Sequence, residues 1–143
     1  MTASRQSDTN KTVVRRYLQE VWQKRNPEAL EKFLSADYRR YLSPAAEPLT
    51  LEAQKARLTG FHEAFPDLQF TLEDIFAEGD RVAFRSTIEG THQGVFQGVA
   101  PTGKTVKVSL VDIVRVEDGV ITQHWGGPDL LDLLKQLGAT VSP

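Results

Sequence analysis

Residues 104–129 constrain the fold more than any other part of the chain. Apolar and polar residues alternate on both sides of the Glu-Asp-Gly sequence at 117–119, which predicts two β-strands joined by a tight turn. The segment also carries a carboxylate, Asp112, and an imidazole, His124, in mostly apolar surroundings. The hairpin is therefore the first place to look for chemistry.

The length of the loop decides whether these two side chains meet. The glycine that ends the loop 117–119 can take a positive φ, and a three-residue loop places Asp112 directly opposite His124 on one face. Directly opposed Cβ atoms lie about 4.5–5.5 Å apart, which allows a hydrogen bond. A two-residue loop, 118–119, would place Asp112 opposite Trp125 and turn His124 to the other face. We favour the three-residue loop.

The periodicity of the whole chain predicts helices before strands. Helical spacing predicts four helices: about 14–22, from Pro27, 51–64 after an N-cap at Thr50, and from Pro128 onward. Alternation predicts the strands: a short extended piece at 37–42, then 68–76, 81–90 and the hairpin. This order is typical of an α+β domain, and a twisted antiparallel sheet can curl around helices into a cone with a pocket at its open end.

Composition narrows the class of protein. The chain has 143 residues, which suits one domain over 1–143, with residues 1–9 and 139–143 expected to be loose. A net charge of −2 gives no basic field for nucleic acid or an anionic membrane. The absence of cysteine excludes thiol chemistry, and the three histidines lack metal-ligand spacing. We expect a cytoplasmic protein without a metal or other cofactor, because no signal peptide, membrane span or nucleotide-binding motif is evident.

Several short blocks occur together in residues 65–138: Phe65-Pro66-Asp67, Gly79-Asp80-Arg81-Val82, Gly90-Thr91-His92, Pro101-Thr102-Gly103-Lys104, Asp118-Gly119 with His124-Trp125, and Gln136-Leu137-Gly138. This combination resembles the SnoaL-like polyketide cyclases and ester cyclases of the NTF2-like superfamily. The resemblance implies an NTF2-like cone, in which a curved antiparallel sheet wraps around N-terminal helices and a short C-terminal helix follows. It also implies cofactor-free acid/base chemistry on a carbonyl compound.

One position departs from the family pattern. Characterised cyclases of the family carry an acid/base aspartate two residues after the histidine that matches His124, and this chain has Gly126 there. Another pocket histidine of those enzymes aligns with Asp112. The resemblance therefore implies a rearranged pair of carboxylate and imidazole, and the aldol-cyclase mechanism does not transfer residue by residue.

Three residues are candidates for catalysis: Asp112, His124 and Arg85. Burial of Asp112 among apolar neighbours disfavours its ionised form unless a cation offsets this, and such a group suits a general base. We expect Asp112 to fix the tautomer of His124 and to raise its pKa. Arg85 inside the cone would stabilise an enolate. The alternatives are that these groups only pair to hold the sheet, or that Arg85 faces outward and pairs with Glu73.

Six residues are candidates for substrate binding: His92, Trp125, Tyr41, Leu110, Phe84 and Trp22. His92 either reaches the pocket mouth or holds its own loop, and Tyr41 would donate a phenol. The tryptophans either line the pocket or pack in the core. We expect His62 to be a surface or packing residue and Asp129 to cap the last helix.

These candidates predict an enzyme that removes a proton α to a carbonyl of a small apolar compound, followed by ring closure or isomerisation. The alternative is a non-catalytic module that binds a small molecule, which Gly126 favours. A further alternative is water activation as in epoxide hydrolases, which needs a second carboxylate near Asp112 with an arginine between them. We also expect a homodimer or higher homo-oligomer, because the outer sheet face carries apolar residues: Val111, Ile113, Ile121 and Trp125.

Overall fold

The computed structural model describes residues 2–139, over which four α-helices and five β-strands follow one another. Their bounds are α1 Thr2–Tyr17, α2 Leu30–Phe33, β1 Leu34–Tyr41, α3 Leu51–Ala64, β2 Gln69–Glu78, β3 Arg81–Thr91, β4 Thr105–Glu117, β5 Val120–Pro128 and α4 Leu130–Gln136. A π-helical segment, Leu18–Gln23, extends α1, and a 3₁₀ turn, Pro27–Ala29, precedes α2. The predicted α+β order is confirmed.

The ends of the chain differ from expectation in one respect. Helix α1 begins at Thr2, whereas we expected residues 1–9 to be loose. Met1 and residues 140–143, which belong to the predicted loose ends, lie outside the described residues. Among residues 2–139, no helix combines the length and the apolar character that crossing a bilayer requires.

Local signals set the helices on either side of the strands. The Thr50 hydroxyl accepts a hydrogen bond from Ala53 N at 3.2 Å, so α3 begins where its cap predicts. The Asp129 carboxylate accepts one from Asp132 N at 3.0 Å and caps α4, as expected. The two caps fix the helices that lie before and after the main part of the sheet.

The sheet has the strand order β1-β5-β4-β3-β2. Its neighbours are antiparallel except β1 and β5, which are parallel, so the sheet is mixed where we expected it to be antiparallel throughout. In the parallel pair Arg40 is the partner of His124. Strand β4 alternates strictly between buried and exposed residues, and its buried face packs in the same core as the helices. Asp112 lies on that buried face.

Both registers considered for the hairpin are wrong. The turn contains two residues, Asp118 and Gly119, which both have positive φ (51° and 81°), so Glu117 pairs with Val120. Strand β5 then carries one extra residue, Thr122, in a β-bulge.

The two-residue turn and the bulge each move the register by one residue, so together they shift it by two from the three-residue-loop prediction. Val114 is consequently opposite His124, and Asp112 is opposite Gly126. Because a shift of two preserves the face, His124 still points to the same side as Asp112. The two-residue turn places Ile121 opposite Val116 on the inner face, where it is fully buried, so its predicted place on the outer face is wrong.

Candidate functional site

Asp112 and His124 form the predicted pair through a diagonal contact rather than a direct cross-strand one. His124 Nε2 lies 2.7 Å from Asp112 Oδ1. The two residues are 4% and 2% exposed, so the contact is buried in the concave side of the sheet. A neutral imidazole that donates to a carboxylate in this way holds the carboxylate in a fixed orientation.

Arg40 on β1 completes the cluster, and sequence reasoning missed it. Its Nη1 lies 2.7 Å from His124 Nδ1, and its Nη2 lies 3.5 Å from Asp112 Oδ1. The same Nη2 donates to the Gly126 carbonyl at 2.7 Å. Arg40 Nη1 also lies 2.8 Å from His124 Nε2, so the arginine contact alone does not select the tautomer. The Asp112 carboxylate can only accept, which places the proton on Nε2, and Nδ1 accepts from Arg40 and from the Tyr38 hydroxyl at 3.2 Å.

The protonation of His124 is opposite to expectation. Burial and, second, the positive charge of Arg40 lower its pKa from 6.5 to about 4. The hydrogen bond and the negative charge of Asp112 raise the pKa of His124, but by less than burial and Arg40 lower it. His124 is therefore neutral near pH 7, and Arg40 is the cation that offsets the desolvation of Asp112.

A small cavity lies over the cluster. Apolar walls come from Leu18, Trp22, Phe70, Phe84, Leu110 and Pro128, so three of the predicted substrate-binding residues line it. The polar lining consists of Tyr17, Arg40, Arg57, Asp112 and His124. The cavity has a volume of about 10 Å³, which is close to the space that one water needs.

Two buried polar atoms at this cavity, the Tyr17 hydroxyl and Arg40 Nε, lack hydrogen-bond partners among residues 2–139. Asp112 Oδ1 receives the contacts from His124 and Arg40, whereas Oδ2 accepts no hydrogen bond. The buried hydroxyl of Tyr17 also finds no acceptor. Burial raises the pKa of Tyr17, so its hydroxyl remains a neutral donor. The cavity is thus lined by a free acceptor and a free donor.

Four predicted site residues lie outside the cavity: Arg85, Trp125, Tyr41 and His92. Arg85 is on the outer face of β3, is half exposed, and pairs with Asp74 at 2.6 Å, so its predicted place inside the cone is wrong. Trp125 and Tyr41 stack on each other at 5.6 Å and line an outer groove instead. Strand alternation explains the positions of Trp125 and Tyr41, because they follow His124 and Arg40 in the sequence and the side chains of those two residues point inward.

His92 supports its loop instead of the cavity. It is fully buried, and its Nδ1 accepts a hydrogen bond from Thr102 N at 3.1 Å. Its ring packs against Phe65 at 5.5 Å. His62 packs edge-on against Trp22 at 5.9 Å, which agrees with its predicted packing role. Neither histidine lines the cavity over Asp112.

Gly126 occupies the position where the family pattern has an aspartate. Its φ is +89°, and a Cβ at this residue would lie 2.2 Å from the Val111 carbonyl oxygen. The backbone of β5 therefore has no room for a side chain here. Gly126 permits this close approach of β5 to β4, and the carboxylate that lines the cavity is Asp112 on β4.

Comparison with known proteins agrees with this fold. The model of the SnoaL-like polyketide cyclases matches residues 12–137. The aklanonic acid methyl ester cyclase DnrD of Streptomyces peucetius is 32% identical over 105 residues, which cover 68% of this chain and 72% of DnrD. Among solved structures, TsrD from Streptomyces laurentii has a TM-score of 0.81 at 32% identity, covering 93% of this chain and 97% of TsrD. A SnoaL-like structure from Jannaschia sp. CCS1 has a TM-score of 0.85 at 25% identity, covering 94% and 95%. The chain belongs to the SnoaL-like polyketide cyclase family.

Proposed function

We propose that the protein catalyses a cofactor-free ring closure of a small or medium apolar carbonyl compound, with Asp112 as the base. The observation that carries this proposal is the asymmetry of the Asp112 carboxylate. One oxygen is held by His124 and Arg40, and the other accepts no hydrogen bond from the described residues. A buried carboxylate with one oriented, unoccupied oxygen suits proton abstraction.

The reaction balances without a cofactor. Asp112 Oδ2 takes a proton from a carbon α to a carbonyl, and the electrons of the broken C–H bond form an enolate. The enolate carbon attacks a second carbonyl of the same molecule, which forms a C–C bond and an alkoxide. The alkoxide takes the proton back from Asp112, so the product is an isomer of the substrate. An isomerisation shares the first step and returns the proton to another carbon.

The remaining polar residues of the cavity have supporting roles in this mechanism. His124, being neutral, positions Asp112 and does not carry the proton. The Tyr17 hydroxyl donates to the oxygen on which negative charge develops, and donors of this kind stabilise the transition state. Arg40 balances the charge of Asp112 before and after the transfer. These residues take over the role that we had expected of Arg85.

A second candidate function follows from the size of the cavity. Its volume of about 10 Å³ is far below that of a polyketide, whereas a groove of about 590 Å³ lies outside it between α3 and the 92–104 loop. A protein that only binds a small molecule in that groove would leave the inner cluster as a structural ion pair. Water activation as in epoxide hydrolases is not supported, because Asp112 is the only carboxylate among the described residues that line the inner cavity.

The decisive experiment uses aklanonic acid methyl ester, since a relative at 32% identity is named for its cyclisation. We expect a product of unchanged mass and, in D₂O, exchange of the α proton, followed by mass spectrometry and NMR. Asp112→Asn should lower the rate by at least about 10²-fold while leaving the fold intact, because general-base catalysis contributes about 10²–10⁴-fold.

A matched control separates chemistry from charge. Asp74→Asn removes a carboxylate from the outer face, where Asp74 pairs with Arg85, and should leave the rate unchanged. Full turnover by Asp112→Asn would refute the role of Asp112. Ligand binding without turnover in the wild type would favour the binding module.

We also propose a homodimer that buries the outer sheet face. Phe76, Val111 and Ile113 are 67%, 59% and 41% exposed. Phe76 on β2 and Ile113 on β4 both pair with Ala83 of the strand between them, so they share one face of the sheet. Apolar exposure of this kind is typical of interfaces. Light scattering should give a dimeric mass that Ile113→Glu reduces to a monomeric one. A wild-type mass that stays monomeric at all concentrations would contradict the dimer.

A further inference from the structure

Arg57 of α3 lies between the inner cavity and the outer groove and lines both. Its guanidinium lies over the ring of Phe61, 5.1 Å from the ring centroid. Asp112, the only carboxylate among the described residues that line the inner cavity, pairs with Arg40 and not with Arg57. Arg57 is partly exposed, so its five N–H donors are available to solvent or to a ligand. Burial, followed by the positive charge of Arg40, lowers the pKa of Arg57 to about 10.

The charges around the cavity do not balance. Its lining contains one carboxylate, Asp112, and two guanidinium groups, Arg40 and Arg57. His124 is neutral near pH 7 because its pKa is about 4. Arg40 is already engaged by Asp112, His124 and the Gly126 carbonyl, which leaves the charge of Arg57 uncompensated. The site therefore matches a ligand that brings one negative charge.

The two guanidinium groups converge at a single place. Arg40 Nη2 and Arg57 Nη2 lie 2.7 Å and 3.8 Å from the point that a Cβ on residue 127 would occupy. That residue is Gly127, whose φ of +143° disfavours any side chain. The Nη2 atoms of both arginines thus lie near the same stretch of backbone. An oxygen anion within hydrogen-bond distance of both would receive charge-assisted hydrogen bonds and relieve the repulsion between the two arginines.

We propose that Arg57 binds a negatively charged oxygen that the substrate already carries when it arrives, a carboxylate or an ionised enol. The site would then select the ionised form of an organic acid or enol over its uncharged derivatives, and a methyl ester substrate would supply the charge as an ionised enol. The inference rests on the proposed function for the identity of this ligand as a substrate, but the binding itself does not require turnover. Because Arg57 also lines the outer groove, its side chain is the part of the cavity wall that the ligand meets first.

The test is equilibrium binding, by calorimetry, of two probe pairs. One pair is 2-naphthoate with its methyl ester, and the other is 5-phenylcyclohexane-1,3-dione, an enolate at neutral pH, with its methyl enol ether. We expect the wild type to bind the anion of at least one pair about 10-fold more tightly than the neutral partner, which corresponds to one charge-assisted contact. The pair that shows this preference identifies the source of the oxyanion.

Variants assign the preference to Arg57. Arg57→Gln should remove the preference for the anion while leaving the affinity for the neutral partner within about twofold. Arg57→Lys should retain part of the preference, since lysine keeps the positive charge but not the planar, bidentate donor geometry of arginine. Arg16→Gln removes one positive charge from the exposed surface and serves as the matched control. Thermal unfolding of each variant verifies the fold. Equal affinity for both partners in the wild type, or a preference that survives Arg57→Gln, would overturn the proposal.

The Asp112→Asn variant distinguishes this proposal from the catalytic one. Removing the carboxylate makes the cavity more positive, so anion binding should tighten even though turnover is lost. Anion binding that tightens while turnover persists would refute Asp112 as the base and leave Arg57 as the anion site. Loss of turnover without any anion preference would support the base and refute the role of Arg57.

Discussion

Arg40 and His124 are partners across the parallel pair of β1 and β5, and Arg40 Nη1 lies 2.7 Å from His124 Nδ1. The contact links the hairpin to a residue 84 positions earlier in the chain. It places a buried cation beside Asp112, whose carboxylate would otherwise be desolvated without compensation. The first strand is therefore part of the candidate site as well as of the sheet edge.

Arg40→Met should destabilise the protein, because it leaves Asp112 buried without its cation. Breaking a buried pair on one side costs about 3–5 kcal/mol, and urea unfolding would measure this loss in the free energy of unfolding. Arg39→Met on the opposite face is the control and should change stability by less than about 1 kcal/mol. The double variant Arg40→Met/Asp112→Leu should recover most of the loss. A stable Arg40→Met single variant would show that the ion pair is unimportant for folding.

Tyr17→Phe should separate catalysis from stability. The hydroxyl makes no hydrogen bond with the described residues, so removing it should leave the melting temperature unchanged or higher. If the hydroxyl donates to the developing oxyanion, kcat should fall by about 10²-fold with KM little changed. Steady-state kinetics on the cyclised substrate would measure both constants. An unchanged kcat would remove Tyr17 from the mechanism.

The low pKa of His124 should make stability depend on pH. The folded pKa is about 4, below the ordinary value of 6.5, so the unfolded chain binds a proton that the folded chain does not between these values. Stability is therefore full above about pH 6.5 and falls as the pH drops toward 4, by on the order of 2–3 kcal/mol from this residue. Urea titrations from pH 4 to 7 on the wild type and His124→Gln would isolate the effect as their difference. Parallel pH curves for the two proteins would contradict it.

Gly126→Ala should be costly in a way that a matched glycine is not. Both Gly126 and Gly119 have positive φ, but only at Gly126 would a Cβ meet backbone, at 2.2 Å from the Val111 oxygen. Gly119→Ala should cost about 1 kcal/mol, the usual penalty for the left-handed region. Gly126→Ala should cost at least about 2 kcal/mol more, since the strands must separate. Equal losses in urea unfolding would mean that β5 adapts, and that an aspartate at this position is also possible.

Local signals in the sequence predicted a large part of the fold. The bounds of α3 follow from Thr50 and the proline that ends it, and the faces of β3 and β4 follow from alternation. The position of β1 could not be predicted in the same way. Arg40 reaches the site only because β1 pairs with β5, a strand far along the chain, and no local signal indicates that pairing. Alternation in residues 37–42 does put Tyr38 and Arg40 on one face and Tyr41 on the other. Alternation alone does not indicate which of these two faces points into the core.

The hairpin register was beyond prediction for a different reason. A β-bulge adds one residue without a strong local signature, and Thr122 is an ordinary strand residue. The prediction that Asp112 and His124 share a face was nevertheless right, because a two-residue shift preserves alternation. The prediction for Ile121 failed, since that residue lies on the turn side of the bulge. Arg57 was missed because nothing in the helical pattern of α3 distinguishes an arginine that faces a cavity from one that faces solvent.

The extra residue Thr122 also divides β5 into two halves with different registers against β4. Both halves pair with β4 and β1: Ile121 near the turn pairs with Val116 and Leu34, and His124 beyond the bulge pairs with Val114 and Arg40. Changes of length at the hairpin tip can therefore be absorbed at the bulge before they reach the cluster. For protein engineering, this makes the tip of the hairpin a place to insert a peptide or a fused domain while the chemistry a few residues away is preserved.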